Sequence, residues 1–365
     1  MNSEKTDLAL FGALCLFLSA LDYLIPKPLP FMRIGLANFP LLIALRFFSV
    51  KKYFLLAFVK VIGQALITGT LFSYVLLFSL AGTALSAVTM LLLCRRASLV
   101  GTSIAGAFVS NAAQLILARF ILFGEGILFL APPFLIAGII SGGLLGFFAE
   151  TFSVQSEWLK QKKENTKADI RPTELSSCDT INGAYAAPHN ANNALNISRA
   201  SLGVLALAVV FLLIPQLPIR TALFLLFWLL AVIVKRKTRP LFTIFSMAMI
   251  TLCNCFPPFG KILLQAGPVI IAEGSLRLGL QRAVTMAGLI MFSRLALLSV
   301  PKLPGKFGAL LQECFIILEK MNVIFFGGDN ENTGLKNEKA AGGLVKKLDR
   351  LLFEVSGAAH VIASE

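Results

Sequence analysis

Charge is scarce in this chain, and negative charge scarcest. Only 14% of its 365 residues are Asp, Glu, Lys or Arg, where a soluble globular domain carries about 25%. Acidic residues number 19 and basic residues 33, for a formal net charge of +14. With 57% hydrophobic residues and a mean hydropathy of +0.80, a water-soluble fold would expose aggregating apolar patches. The composition therefore assigns the chain to lipid. Histidine is nearly missing: His189 and His360 both lie in polar stretches. That excludes a histidine-based metal or proton site within the membrane. Of the cysteines Cys15, Cys94, Cys178, Cys253, Cys255 and Cys314, several sit in apolar runs, where a thiol behaves as a small hydrophobe. Cys253-Asn254-Cys255 is too isolated a pair to hold a metal. No metal and no cofactor is expected.

Catalytic patterns are missing as well. There is no Gly-x-x-x-x-Gly-Lys-Ser/Thr, so the chain is not its own P-loop ATPase. No adjacent aspartates form a magnesium–diphosphate motif, and no Gly-x-Ser-x-Gly elbow occurs. The sequence does not read as an enzyme. The basic excess would suit a nucleic acid, but its placement argues otherwise. Lys51-Lys52, Arg95-Arg96, the lysines of 160–167, and Lys235-Arg236-Lys237 with Arg239 stand in short clusters between apolar runs. That is the pattern that orients membrane proteins, and no nucleic-acid partner is expected.

What the sequence has is long apolar runs. A membrane helix needs about 20 mostly apolar residues. Candidate spans cover residues 8–25, 36–50, 53–71, 74–94, 99–123 and 127–152, the second being short. Residues 153–198 are polar and aperiodic and read as a disordered linker. Apolar runs return at 200–214, 221–234, 241–256 and 283–300, and residues 261–282 mix apolar residues with Glu273, Arg277 and Arg282. The expected fold is an all-α, polytopic integral membrane bundle of about ten helices in two modules. Its parts are residues 1–152, the linker 153–198, a second membrane domain 199–300, and an amphipathic basic tail 301–365. The first span lacks a small-residue cleavage site and reads as uncleaved. Lys51-Lys52, Arg95-Arg96 and the linker lysines follow the second, fourth and sixth runs, and so fall on one side, the cytoplasm of a plasma (inner) membrane. Both termini share that side.

Polar residues inside spans are costly and face a cavity or another helix. Asn111 and Gln114 are three apart on one face of the fifth run. Two readings stand: they hold a polar heterocycle or amide, or they tie helices together by hydrogen bonds. Arg33 and Asn38 flank the start of the second run, where an arginine meets either an anionic ligand or lipid headgroups. Lys60 and Gln64 share a face of the third run, and a lysine at that depth wants an anion or a water-filled cavity. Asp22, near the end of the first run, is either the partner of Lys60 or an outer-interface residue, and the second reading is preferred. Arg277, Arg282 and Arg294 either pair with Glu273 or line a cytoplasmic interface, or are boundary anchors, the preferred reading. Ala9, Gly12 and Ala13 give the first run a smooth face on which another helix can pack.

Ordered strings in the first half carry a resemblance: Arg33-Ile34-Gly35-Leu36-Ala37-Asn38, Ser79-Leu80-Ala81-Gly82 with Ser86 and Met90, Ser103-Ile104-Ala105-Gly106-Ala107, Ser110-Asn111-Ala112-Ala113-Gln114-Leu115, Pro132, and Gly138-Ile139-Ile140-Ser141-Gly142-Gly143. Over residues 5–150 they resemble the Gx transporter family, also labelled heptaprenyl diphosphate synthase component I. That family is similar to the six-span substrate-binding S components of energy-coupling factor (ECF) vitamin transporters. Ser110 stands where the family pattern has histidine. S components use an Ala-x-x-x-Ala face on the first helix to meet the transmembrane T component, which implies that role for Ala9 and Ala13. The second half resembles a T component, through Pro257-Pro258-Phe259-Gly260, Gly267-Pro268 to Glu273-Gly274-Ser275 with Gly279-Leu280, Ser293-Arg294, and Leu303-Pro304-Gly305-Lys306-Phe307-Gly308. T components dock ATPases through Ala-Arg-Gly motifs, and this tail contains none.

The resemblance implies uptake of a small cofactor- or vitamin-like molecule across the bilayer, with ATP hydrolysed by separate ABC-type ATPase subunits. The alternatives are an ion-driven secondary transporter, which would need acidic residues in its spans, and a non-catalytic membrane partner in prenyl diphosphate synthesis. The charge pattern makes a direct prediction. A single cysteine placed in the linker 153–198 reacts with a thiol reagent only after the inner face is exposed, and labelling from outside intact cells would overturn the orientation.

Overall fold

The computed structural model describes residues 3–25, 35–168, 210–214, 216–234, 240–256, 258–266, 269–297, 305–327 and 340–362. Nearly all of them are helical, as a bilayer demands: backbone groups there must be satisfied within their own segment. The first half contains α1 (Ser3–Leu24), α2 (Asn38–Ala44), α3 (Val50–Thr68), α4 (Tyr74–Leu93), α5 (Leu99–Ala118), α6 (Ile127–Gln155) and α7 (Glu157–Ala168). The second half contains α8 (Leu217–Ile233), α9 (Pro240–Asn254), the antiparallel strands β1 (Ile262–Ala266) and β2 (Val269–Ala272), α10 (Glu273–Ala296), α11 (Gly305–Gly327) and α12 (Ala340–Ile362).

Helix α1 lies in the largest apolar core, with Phe11, Ala13, Cys15, Leu16 and Phe17 all buried. Its neighbours fix the direction of each pass. Gly12 lies against Val59, and Gly63 against Leu16, so α3 runs parallel to α1. The chain between them must therefore return to its starting end. Tyr53 at the start of α3 meets Ala87 and Met90 near the end of α4, so α4 runs back. Helices α5 and α6 form an antiparallel hairpin. A Cβ on Gly142 would stand 2.8 Å from Ala107 Cβ, and one on Gly146 would stand 2.6 Å from Val100 Cα. Only glycine lets two backbones approach so closely. The turn between them is a π-helical segment, Arg119–Phe123, followed by Gly124–Gly126, with an Arg119–Glu125 ion pair at 2.6 Å.

This winding gathers Lys51-Lys52, Arg95-Arg96 and α7 at the end of the bundle where α1 begins. Lys162 in α7 pairs with Asp7 of α1 and lies 4.8 Å above the Trp158 ring. Burial pushes its ammonium below the usual lysine range, and Asp7 pulls it back up. The outward faces of α4 to α6 carry exposed Leu77, Leu92, Phe120, Phe129, Leu144 and Phe147. Such a surface is at rest only against lipid.

Several expectations change. The second candidate span, 36–50, contains a helix of only 7 residues, about 10 Å long and too short to cross. The mixed stretch at 261–282 divides into a β-hairpin and the first turns of α10, so the helix expected at 283–300 starts at Glu273. Gly267-Pro268 between the strands is a turn signal in the sequence. Helical order runs past residue 152, through Gln155 and then α7; the rest of the 153–198 linker lies outside the described residues. Among the described residues, 3 stretches are long and apolar enough to span: Lys5–Leu24, Tyr74–Leu93 and Leu99–Gln155, the last comprising the α5–α6 hairpin. Helices α8 and α9 are apolar but shorter, and α3 carries Lys51, Lys52 and Lys60. The protein is thus an all-α membrane protein, with fewer clear spans than the ten its apolar runs suggest.

The halves touch through α9 to α12, and α9 and α10 supply polar contacts. The Asn254 side chain donates to the Leu122 carbonyl at 2.7 Å, inside the π turn, and accepts from Arg282 at 2.7 Å. Phe72 N–H donates to Ser293 Oγ at 3.0 Å, and Arg294 donates to the Tyr23 hydroxyl at 3.0 Å. At the basic end, α12 reaches the base of α7. Ser156 Oγ accepts from Leu159 N–H at 3.1 Å and donates to Asp349, whose second oxygen accepts from Glu157 N–H at 3.0 Å. The tail thus supplies half of a helix N-cap. Asp349→Ala should cost about 1 kcal/mol, the usual value of a cap. It should also speed amide exchange across Glu157–Ala168; unchanged exchange there would show that the contact is dispensable.

Candidate functional site

Six helices and the loop before α2 converge on a polar cavity in the half of the bundle away from the basic end. It encloses about 510 Å³ of empty space, its open mouth included. Asp22 reaches it from the end of α1, Gly35, Ala37 and Asn38 from the start of α2, and Lys60 and Gln64 from α3. Ser79 and Thr83 come from α4, Ala107, Ser110, Asn111 and Gln114 from α5, and Ser141 from α6. Helix periodicity explains the convergence: Lys60 and Gln64, Ser79 and Thr83, and Ala107, Asn111 and Gln114 are each spaced three or four apart on one face.

Five of the six residues singled out from sequence as ligand-facing, Asn38, Lys60, Gln64, Asn111 and Gln114, stand on this one wall. The sixth, Arg33, lies outside the described residues. Asp22, read from sequence as an outer-interface residue, instead lines the cavity and is 2% exposed. Thr83 and Ser141 were not singled out. The spacing of Ser79, Thr83 and Ser86 at i, i+4, i+7 on an otherwise apolar helix is a signal that finds Thr83. Ser110, at the position where histidine is expected, is on the wall too.

The polar atoms differ in what they already hold. Lys60 Nζ donates to Asn38 Oδ1. Asn111 Nδ2 donates to the Phe134 carbonyl at 3.0 Å, bridging α5 to α6, which is the structural role weighed for it. Its amide also fills the space beside Gly138, where a Cβ would come within 2.2 Å of Nδ2. Ser79 Oγ donates back to the Val75 carbonyl at 2.7 Å. Gln114 Nε2 donates to Ser110 Oγ at 3.2 Å, but its Oε1 is buried and has no partner among the described residues. Of the buried side-chain atoms in that condition, it belongs to the only residue on the cavity wall. An unmet acceptor inside a bundle costs about 1–3 kcal/mol unless something donates to it.

Ala9, Gly12 and Ala13 lie elsewhere. All are buried on α1. A Cβ on Gly12 would stand 2.5 Å from Cys314 Sγ of α11 and 3.4 Å from Val59 of α3. Phe17 packs on Phe325 at 5.2 Å between centroids, further along the same α1–α11 seam. Arg277, Arg282 and Arg294 do not join the cavity.

The orphaned acceptor separates two roles for Gln114. If the side chain only ties helices together, Gln114→Met lowers stability. If Oε1 awaits a ligand, the near-isosteric Met removes an unmet acceptor. The thermal midpoint of the ligand-free protein in detergent should then hold or rise, by an amount worth up to about 1–2 kcal/mol. A fall of similar size would assign Gln114 to the scaffold.

Neither a curated protein nor a solved structure matches the chain. Residues 196–299 match the model of a domain of unknown function, DUF8519. Residues 11–152, which contain the whole described cavity wall, match the model of the family described as heptaprenyl diphosphate synthase component I.

Proposed function

We propose that the protein is a membrane subunit of an ECF-type transporter that takes up a small cofactor- or vitamin-like molecule. Residues 11–152 serve as the solute-binding module, the second half as the T-like coupling module, and separate ATPase subunits hydrolyse ATP. The observation that carries the reading is the cavity: a pocket of carboxamides, hydroxyls and one lysine enclosed by a lipid-facing bundle. Polar groups at that depth are expensive, and a protein that only scaffolds others has no use for a chamber of them. Its position also suits uptake. Asp22 lies at the end of α1 farthest from Asp7 and Lys162, so the cavity is remote from the basic end. On this reading the basic end is cytoplasmic, the termini lie there, and solute enters from outside.

Coupling is assigned to the α1–α11 seam, where Ala9, Gly12 and Ala13 allow close approach. In this reading residues 301–365 are coupling helices that carry a different ATPase contact from Ala-Arg-Gly. The family description favours a second reading, a non-catalytic membrane partner of a prenyl diphosphate synthase. That partner would bind a soluble enzyme and no small polar solute.

The two readings separate on one variant. Ala9→Trp drives a large ring into a seam that holds a residue 1% exposed. We expect the protein to insert, solute binding to stay within about twofold, and uptake into proteoliposomes with the ATPases to fall at least about tenfold, because the seam and the cavity are separate sites. Equal loss of binding and uptake would mean that both halves share one site. Co-purification with a soluble prenyl synthase and no solute uptake would favour the partner reading.

A further inference from the structure

Four of the helices that wall the cavity end beneath one helix of the second half. Helix α10 meets them in turn, at the end of the bundle away from the basic clusters. Arg282 lies over the turn between α5 and α6, where a Cβ on Gly124 would stand 3.2 Å from its Nη1. Ala283 and Met286 share a buried apolar cluster with Val75 and Phe78 of α4 and with Leu115 and Ala118 of α5. Ser293 Oγ accepts from Phe72 N–H, in the turn between α3 and α4, at 3.0 Å. Arg294 packs on Gly69, the left-handed residue that ends α3 (φ +68°), and donates to the Tyr23 hydroxyl of α1 at 3.0 Å. From Arg282 to Arg294 is about 18 Å of helix, so one rigid element crosses the ends of α1, α3, α4 and α5.

Each crossing lies close to a cavity residue. Tyr23 follows Asp22 on α1. Gly69 follows Thr68, whose hydroxyl donates to the Gln64 carbonyl at 2.8 Å. The Val75 carbonyl accepts from Ser79 Oγ at 2.7 Å, and Leu115 follows Gln114. Close-packed helices transmit a displacement rather than absorb it. A shift of α10 is therefore felt on four wall helices at once.

We infer that α10 is a strap that controls access to the cavity. Seated on the four helix ends, it holds the chamber closed. Lifted from Tyr23, Gly69 and Phe72, it lets the chamber exchange its contents. The inference rests on the proposed solute-binding role and adds its gate, which belongs to the second half and is separate from the α1–α11 seam. Ser293 and Arg294 are positioning residues: they hold helix ends rather than line the cavity.

The test locks and releases the strap and reads access with a thiol reagent. A Cβ on Gly69 would stand 3.5 Å from Arg294 Cβ, within the roughly 3.5–4.5 Å that a disulfide spans. The full-length chain with Gly69→Cys, Arg294→Cys and a wall reporter, Thr83→Cys, is placed in lipid nanodiscs. It is oxidised with copper phenanthroline and then treated with a trimethylammonioethyl methanethiosulfonate. Peptide mass spectrometry reads the labelling rate of each cysteine separately. The lock should slow labelling of the Thr83→Cys reporter at least about tenfold, against the same reporter without the pair, because the rate follows the open fraction. Reduction should restore it. The release variant, Ser293→Ala with Arg294→Ala, should speed the reporter at least about tenfold. Cys15 and Cys314, both 0% exposed at the seam, should keep their rates in every form, whereas a general loosening would raise them too.

Failure of the bond to form in the folded protein, an unchanged reporter rate, or an equal rise at Cys15 and Cys314 overturns the strap. A cysteine at left-handed Gly69 is strained; if that pair does not fold, the release variant decides alone, and no acceleration there overturns the inference. A reporter that outpaces Cys15 equally in all forms rules out the strap but leaves an accessible chamber. If the reporter never outpaces Cys15, even in the release variant, no solute can reach the wall and the solute-binding reading falls as well.

Discussion

A polar atom inside a lipid-embedded bundle has to find a partner within the protein, and the rest of this structure follows from that constraint. It makes the chain helical almost throughout. It turns hydroxyls back on their own helices, as Ser79 does to Val75, Thr68 to Gln64 and Thr251 to Met247. Where a helix breaks, it recruits a side chain from elsewhere. The π turn at Arg119–Phe123 presents the Leu122 carbonyl, and Asn254 from the second half donates to it. The same bond helps tie the two halves together. The rule is relaxed at a few buried atoms among the described residues, Ser19, Ser86, Thr102, Gln114 and Arg220, and of these Gln114 Oε1 is on the cavity wall.

Close packing is the second device. In lipid there is little hydrophobic drive between helices, so contact depends on small residues that let backbones meet. Gly142 and Gly146 bring α6 onto α5, and Gly12 brings α11 onto α1. The two contacts differ in kind. The first meets backbone and short side chains at Val100 and Ala107 and fixes the cavity wall. The second meets a single thiol, Cys314, and leaves the cavity untouched. A molecule that binds solute in one place and couples energy in another would be arranged this way, with a rigid chamber and a separate seam between its parts.

Much of this was legible in the residues themselves. Composition alone assigned the chain to the membrane, and helix periodicity placed Lys60 with Gln64 and Asn111 with Gln114 before any coordinates. What periodicity does not carry is the distance between helices. Asp22 sits near the end of an apolar run, where an interfacial position is the economical reading; only the parallel packing of α1 and α3 brings it to the wall that Lys60 shares. The described residues hold fewer clear spans than about ten for a related reason. Hydropathy measures how apolar a run is, not whether its chain stays helical, so residues 36–50 read as a short span and 261–282 as ambiguous, although one holds a two-turn helix and the other a β-hairpin.

The basic end shows the same logic in water. Lys162, Asp7, Trp158 and Phe11 bring α7 onto the start of α1, and Asp349 from α12 caps the turn below. Three segments far apart in sequence thus meet where the first half ends. An event at the tail, such as docking of an ATPase, would act first on Asp349 and the α7 cap, then on α1 through Lys162 and Asp7. It would reach the cavity through the far end of α1, where Asp22 stands. A rigid helix of 22 residues spans that distance, about 33 Å. One helix therefore carries the contact to the tail, the seam with α11 and a wall of the chamber.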